Sequence, residues 1–321
     1  MQRGHASPLR GLGTRDKANM TRPSTAGVLA RIWKARIVYL FIAPYFVLFI
    51  VFQLSPLVWS FVLSFHQWTG LGNMSYVGLQ NYRQLFRDEL FHRVLWNTVL
   101  YWVVNVLTIV PLSLLLASLV NSSWLKHRNV LQTVIFLPYI VSWVAAGLVF
   151  YILYDHDAGL INALLSAVGL RPQPWLVSTR MSKIPVMTLI AWRLVPWYML
   201  ILYSGLKTVD PQFYDAADIE GASHLQKLVR ITIPLISTLL FFCFITLTIE
   251  SFRIFAQPYV LTRGGPANSS MSIVQYLYNN GFEYFKLGYA STIGYALAVM
   301  LLVVSWTQLR LMIRRNREMN E

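Results

Sequence analysis

Charge is what this sequence has least of. Only 12% of its 321 residues are Asp, Glu, Lys or Arg, about half the share of a soluble globular domain. That argues against a soluble enzyme. A single cysteine, Cys243, is present, which excludes an intrachain disulfide framework and a multi-cysteine zinc site. The phosphate loop Gly-x-x-x-x-Gly-Lys-Ser/Thr is missing, as are His-Glu-x-x-His and Gly-x-Ser-x-Gly. The chain therefore carries no pattern for binding ATP in the usual way, for zinc proteolysis or for serine hydrolysis. Its six histidines are scattered over tails, loops and span ends, so no metal cluster is expected. What fills the sequence is apolar: 56% hydrophobic residues, with 11 Trp, 17 Tyr and 18 Phe. Such rings collect at membrane interfaces. The composition is that of an integral membrane protein, and the net charge of +14 is read as a topological signal, not as a nucleic-acid footprint.

A helix needs about 20 apolar residues to cross a hydrocarbon core of roughly 30 Å. Six stretches qualify, at Ile37–Phe65, Val94–Val120, Val130–Tyr154, Ile184–Leu206, Ile233–Ile249 and Leu287–Ile313. Alternating strands of about ten residues are not seen, so the fold class is all-α with six transmembrane helices. With the N-terminus inside, inside segments hold 17 Lys and Arg against 8 outside, which places both termini in the cytoplasm. Residues 1–36 read as a basic, disordered cytoplasmic tail without an apolar signal core, and Met20 is a possible alternative start. Residues 37–315 form the membrane domain and 316–321 a short cytoplasmic tail. Pro44, Pro56, Pro111, Pro138, Pro196 and Pro234 lie in or at the start of spans, where each removes a backbone donor and is expected to bend the helix.

The cytoplasmic loop 207–232 breaks the composition. It gathers Asp210, Asp215, Asp218, Glu220, His224, Lys227 and Arg230 in a chain otherwise poor in charge. Asp210-Pro211 marks a helix start, Gly221 supplies a bend, and Pro234 leads back into the membrane. This reads as a helix–turn–helix lying on the cytoplasmic face, or as a solvated connector.

The spacing Asp215-Ala216-Ala217, three residues, Gly221, nine residues, Ile231, one residue, Ile233-Pro234 resembles the EAA loop of ABC-importer permeases. Asp215 stands for Glu and Ile233 for Leu. Gly159–Leu165 with Trp175-Leu176, and Tyr259–Pro266 followed by Gly288–Ser291, are similar to outer loops of carbohydrate-importer permeases related to the maltose and glycerol-3-phosphate systems. The resemblance implies a type I importer core and a place in the bacterial plasma (inner) membrane. It implies a second permease subunit, an ABC ATPase dimer that binds ATP and Mg, an extracytoplasmic solute-binding (lipo)protein, and a carbohydrate substrate. No cofactor is expected on this chain itself, and no nucleic-acid partner; lipid surrounds it. Asp215, Ala216, Ala217, Asp218, Glu220, Gly221, Ala222, Ile231 and Pro234 become the expected ATPase-coupling residues, with Asp215–Leu225 as one short docking helix. The rival function is an ATP-independent secondary transporter. That would need intramembrane acids for a coupling ion, and only Glu250 is a candidate.

Candidates for the translocation path follow from polarity inside spans. Arg193 lies roughly 14 Å along the fourth span at 1.5 Å per residue, flanked by Trp192 and Trp197. A cation there faces a polar cavity, a partner or backbone carbonyls. Glu250 and Arg253 are spaced to pair across one turn, either as a self-neutralising pair or as part of a gate with Gln257. Asn105 is a further lining candidate. Ala290, Gly294 and Ala298 form a small-residue stripe that suits close helix packing.

Overall fold

The computed structural model describes residues 36–122 and 126–318. Of the expected N-terminal tail, all but Arg36 lies outside the described residues, as do 319–321. The chain divides into two units after Val58. In the first, α1 (Arg36–Phe49) passes through a π-helical turn, Ile50–Leu54, into the start of α2 (Ser55–Ser64). No residue of Arg36–Val58 is buried, and Leu40, Phe41 and Phe52 are among the most exposed. A helix apolar on every side belongs in hydrocarbon.

The second unit continues with a two-residue hairpin, β1 (His66–Gln67) and β2 (Ser75–Tyr76), then α3 (Gln80–Arg87) and the long α4 (Glu89–Asn121). After these come α5 (Arg128–Ile140), α6 (Trp143–Leu153), α7 (Leu160–Ala167) and α8 (Lys183–Leu206). The loop helices α9 (Gln212–Ile219), α10 (His224–Lys227) and α11 (Ile233–Leu235) lead into α12 (Ser237–Phe252). The chain then runs through α13 (Ala256–Thr262) and α14 (Ile273–Tyr278) to α15 (Leu287–Glu318). The last helix thus enters the stretch 316–321 that was expected to be a tail.

Four helical runs are long and apolar enough to cross a bilayer: Arg36–Ser64, Glu89–Asn121, Lys183–Leu206 and Leu287–Arg314. The third and fifth spans are not single helices. α5 and α6 meet at 93°, and His224–Leu235 meets α12 at 77°. Counting each bent pair as one span gives six, as the sequence predicts, but with two breaks that proline content alone does not locate. Pro138 and Pro234 each lie within one turn of a break, whereas Pro111 and Pro196 sit inside unbroken helices. Ser113 Oγ donates to the Val195 carbonyl at 3.0 Å, binding the second span to the fourth beside Pro196.

The main core lies between α4 and α8, where Tyr101, Ile109 and Ala117 pack with Val186, Leu189, Tyr198 and Leu202. One end of the unit is closed by its longer loops. Asn97 Nδ2 donates to the carbonyls of Asn268 (3.1 Å) and Met271 (3.0 Å), and the Tyr101 hydroxyl donates to Ser270 at 2.8 Å. Asp88 caps α4 there. Its Oδ1 accepts from the N–H groups of Leu90 (2.9 Å) and Phe91 (3.3 Å). Its Oδ2 accepts from the hydroxyls of Tyr276 and, at 2.5 Å, Tyr289. Burial alone would raise the Asp88 carboxyl, but these four bonds outweigh it and hold the group below the usual carboxylate range. Burial together with the bond to Asp88 pushes Tyr276 up to about 12.

The small-residue stripe packs within the chain for two of its three members. A Cβ on Gly281 would lie 3.3 Å from Ala290, and one on Gly294 3.3 Å from Leu277. Ala298 is exposed.

Candidate functional site

The loop 207–232 folds as two short helices around a left-handed turn. Asp210 Oδ1 accepts from the Gln212 N–H at 2.9 Å and so starts α9. At the other end Ala222 N–H reaches the Ala217 carbonyl at 2.9 Å and Gly221 N–H that of Asp218 at 3.0 Å, the double closure of a glycine-terminated helix. Gly221 holds φ +75°, and nothing lies within 4 Å of where its Cβ would stand. The expected single helix Asp215–Leu225 is therefore two pieces. α9 stops at Ile219, and α10 is restarted by Ser223 in a capping box with Gln226. Two further contacts hold the loop together. Tyr214 and Thr232 hydroxyls meet at 2.9 Å, tying α9 to the π-helical turn Leu228–Thr232. Asp218 pairs with Lys227 inside the loop, so this acid is already partnered within the chain. Asp215, Ala216, Glu220 and Gly221 are exposed, Ala222 and Ile231 are half-buried, and Ala217 is buried. Ile219 and Leu225 project into solvent at 88% and 69% exposure, an apolar pair on a polar loop. Pro234 opens α11, directly before the 77° break.

The in-span candidates separate into two groups. Arg193 Nε donates to the Val141 carbonyl at 2.7 Å, and Val141 is the residue at the break between α5 and α6. The guanidinium lies 4.1 Å from the Trp143 ring centre and 5.2 Å from that of Tyr139. Trp197 stacks on the other partner of this group, Tyr139, with centroids 4.8 Å apart and planes at 13°. Glu250 acts on Arg193 electrostatically from the fifth span. A half-exposed face on three spans thus combines a cation, an acid and aromatic rings. Trp192 points its ring at Phe150, 5.4 Å away. Tyr139, Trp143 and Val141 were not among the expected residues.

Asn105, Gln257 and Arg253 do not join this group. Asn105 is buried, donating to Ser251 Oγ at 3.2 Å while its own Oδ1 has no partner. Gln257 is buried in α13, again with an unpartnered oxygen. Glu250 and Arg253 form no side-chain ion pair, contrary to expectation. Their one bond is backbone, Arg253 N–H to the Glu250 carbonyl at 3.1 Å, because α12 ends there and Arg253 leaves the helical path. Among the described residues no group of three His, Cys, Asp or Glu could hold a metal ion.

Replacing Arg193 by Lys keeps the charge but loses the planar fork that both stacks and donates along its edge. If the loop resemblance to importer permeases is taken at its word, transport is expected to fall about tenfold, since a charge-assisted bond is worth roughly 1.5–3 kcal/mol. Wild-type transport rates for Arg193→Lys would rule out a role for this cation in transport.

A bundle of apolar helices with two broken spans and one exposed loop carrying this spacing defines a membrane permease. Residues 85–317 match the family model described as "binding-protein-dependent transport system inner membrane component", and the chain belongs to that family. Among its relatives is the arabinooligosaccharides transport system permease protein AraP of Bacillus subtilis (strain 168), 34% identical over 85% of this chain and 87% of that protein. Another is the lactose transport system permease protein LacF of Rhizobium radiobacter, 34% identical over 84% and 92%. The fold is shared with a bacterial alginate ABC transporter solved with an alginate pentasaccharide-bound periplasmic protein. That match has TM-score 0.80, 21% identity, and coverage of 89% of this chain and 97% of that one.

Proposed function

We propose that the chain is a permease subunit of an ATP-driven importer for an oligosaccharide or sugar derivative. The observation that carries the substrate class is the kind of relative it has. Proteins named for arabinooligosaccharide, lactose and trehalose/maltose transport are 31–34% identical to it over 84–88% of its length. Both termini and the loop 207–232 face the cytoplasm in this reading, as the basic-residue bias requires. The loop receives an ATPase dimer, which binds ATP and Mg. A second permease completes the pathway, and an extracytoplasmic binding protein delivers the sugar. Exposed Ile219 and Leu225, flanked by Asp215 and Glu220, supply an apolar anchor and acidic rim for the ATPase.

On the path itself, Arg193 and Glu250 supply donors and acceptors, and Trp197 an apolar ring face, the two things a sugar needs. Glu250 offsets the charge of Arg193, so the face suits a neutral sugar better than a phosphorylated one. The test is reconstitution of the whole complex in proteoliposomes with ATP inside and binding protein outside, against a panel of neutral, acidic and phosphorylated sugars. Uptake of a neutral oligosaccharide dependent on both ATP and binding protein is expected. Uptake driven by a proton gradient without the ATPase would overturn the reading.

A further inference from the structure

A second polar hollow lies away from the loop and the in-span face. It is a pocket of about 250 Å³ between the hairpin, α3 and the start of α15, lined by Gln67, Trp68, Gln80, Gln84, Lys286 and Tyr289 among others. Its walls are fixed. Asn81 spends its Nδ2 on the carbonyls of Ser64 (2.9 Å) and His66 (3.0 Å). Leu287 N–H reaches the Trp68 carbonyl at 3.1 Å, and the Trp68 indole donates to Gly72 at 3.3 Å. A Cβ on Gly288 would stand 1.8 Å from the His66 carbonyl oxygen, so only glycine lets α15 come this close to the hairpin. Tyr289 is held by Asp88 at 2.5 Å.

Against these fixed walls stand four unspent side chains. Gln67, Gln80, Gln84 and Lys286 form no side-chain hydrogen bond with the described residues. Each amide offers an acceptor and two donors, and the ammonium three donors. No acid lines the pocket, so it has no ligand set for a divalent cation. Paired donors and acceptors beside an indole match the hydroxyls and C–H face of a sugar ring. The volume lies just below the roughly 300–1,000 Å³ of sites for drug-sized ligands, which fits one ring and not an extended chain.

We propose that this pocket is an outer subsite for one sugar unit, neutral or carboxylate-bearing, with amino sugars excluded by Lys286. It rests on the importer reading above for the side of the membrane it faces. The site would hold one unit of an oligosaccharide outside the path while the remainder enters.

The experiment uses the assembled importer in nanodiscs without binding protein, and saturation-transfer NMR with oligosaccharides of neutral hexoses, of uronates and of amino sugars. Transfer to the first two and not the third is expected. In Gln80→Leu/Gln84→Leu, two exposed positions, transfer should fall about tenfold for two lost bonds, and Trp68→Leu should repeat the loss. In proteoliposomes the same variants should raise the concentration of loaded binding protein needed for half-maximal uptake more than they lower the maximal rate. Equal transfer in wild type and both variants, with wild-type uptake intact, overturns the subsite and leaves the importer standing. Variant-sensitive transfer in a complex that imports no sugar overturns the importer reading and leaves a sugar site. Absence of both transfer and uptake overturns both.

Discussion

Gly221→Trp is expected to abolish uptake and substrate-stimulated ATP hydrolysis, or assembly with the ATPase, while the binding protein's affinity for sugar stays unchanged. Two effects act at this position and can be separated. Its φ of +75° costs a residue with a Cβ roughly 1–2 kcal/mol. The open space around the missing Cβ is where a docked ATPase would approach, and an indole would fill it. Asn tolerates the left-handed conformation and adds little bulk, so Gly221→Asn should keep most activity. Gly221→Ala should lie between the two. If Gly221→Trp assembles, transports and stimulates ATPase like wild type in proteoliposomes, the loop is not the coupling element.

Asp88→Ala is expected to destabilise the purified complex by about 4 kcal/mol, the largest effect of any single polar substitution at the loop-closed end. The change removes a helix cap and strips two partly buried hydroxyls of a charged acceptor. The pH dependence has a definite sign. The folded-state carboxyl sits below its ordinary value, so its contribution is complete above about pH 4 and is lost as pH falls through the folded-state value. Thermal unfolding followed from pH 7 downward should show this decline in wild type and lack it in Asp88→Asn. A melting curve for Asp88→Ala within about 1 kcal/mol of wild type would contradict the assignment.

Local pattern made the loop 207–232 readable. Asp210-Pro211, Gly221 and Pro234 each act through their own backbone, so the helix start, the reversed turn and the re-entry are written at those positions. Less was legible where the deciding partner is remote. Asp88 was not singled out in the sequence, because the tyrosines that complete its site lie 188 and 201 positions away. Arg193 in an apolar run demands an acceptor, but the carbonyl that answers is freed by a break 52 residues earlier. Pro138 and Pro111 look alike in sequence, yet only the first adjoins a break. Of the two readings of Glu250 and Arg253, the ion pair does not form because α12 ends at Phe252 and Arg253 leaves the helical path.

The two breaks also bear on how the chain enters the bilayer. α5 has 13 residues, α6 has 11 and α12 has 16, or roughly 20, 17 and 24 Å at 1.5 Å per residue. None reaches the length of about 20 residues that partitions unaided. The first, second, fourth and sixth spans have that length in one helical run, whereas the third and fifth reach it only as bent pairs. The bond from Arg193 to the Val141 carbonyl therefore fastens the break in the third span to a full-length neighbour 52 residues further along the chain.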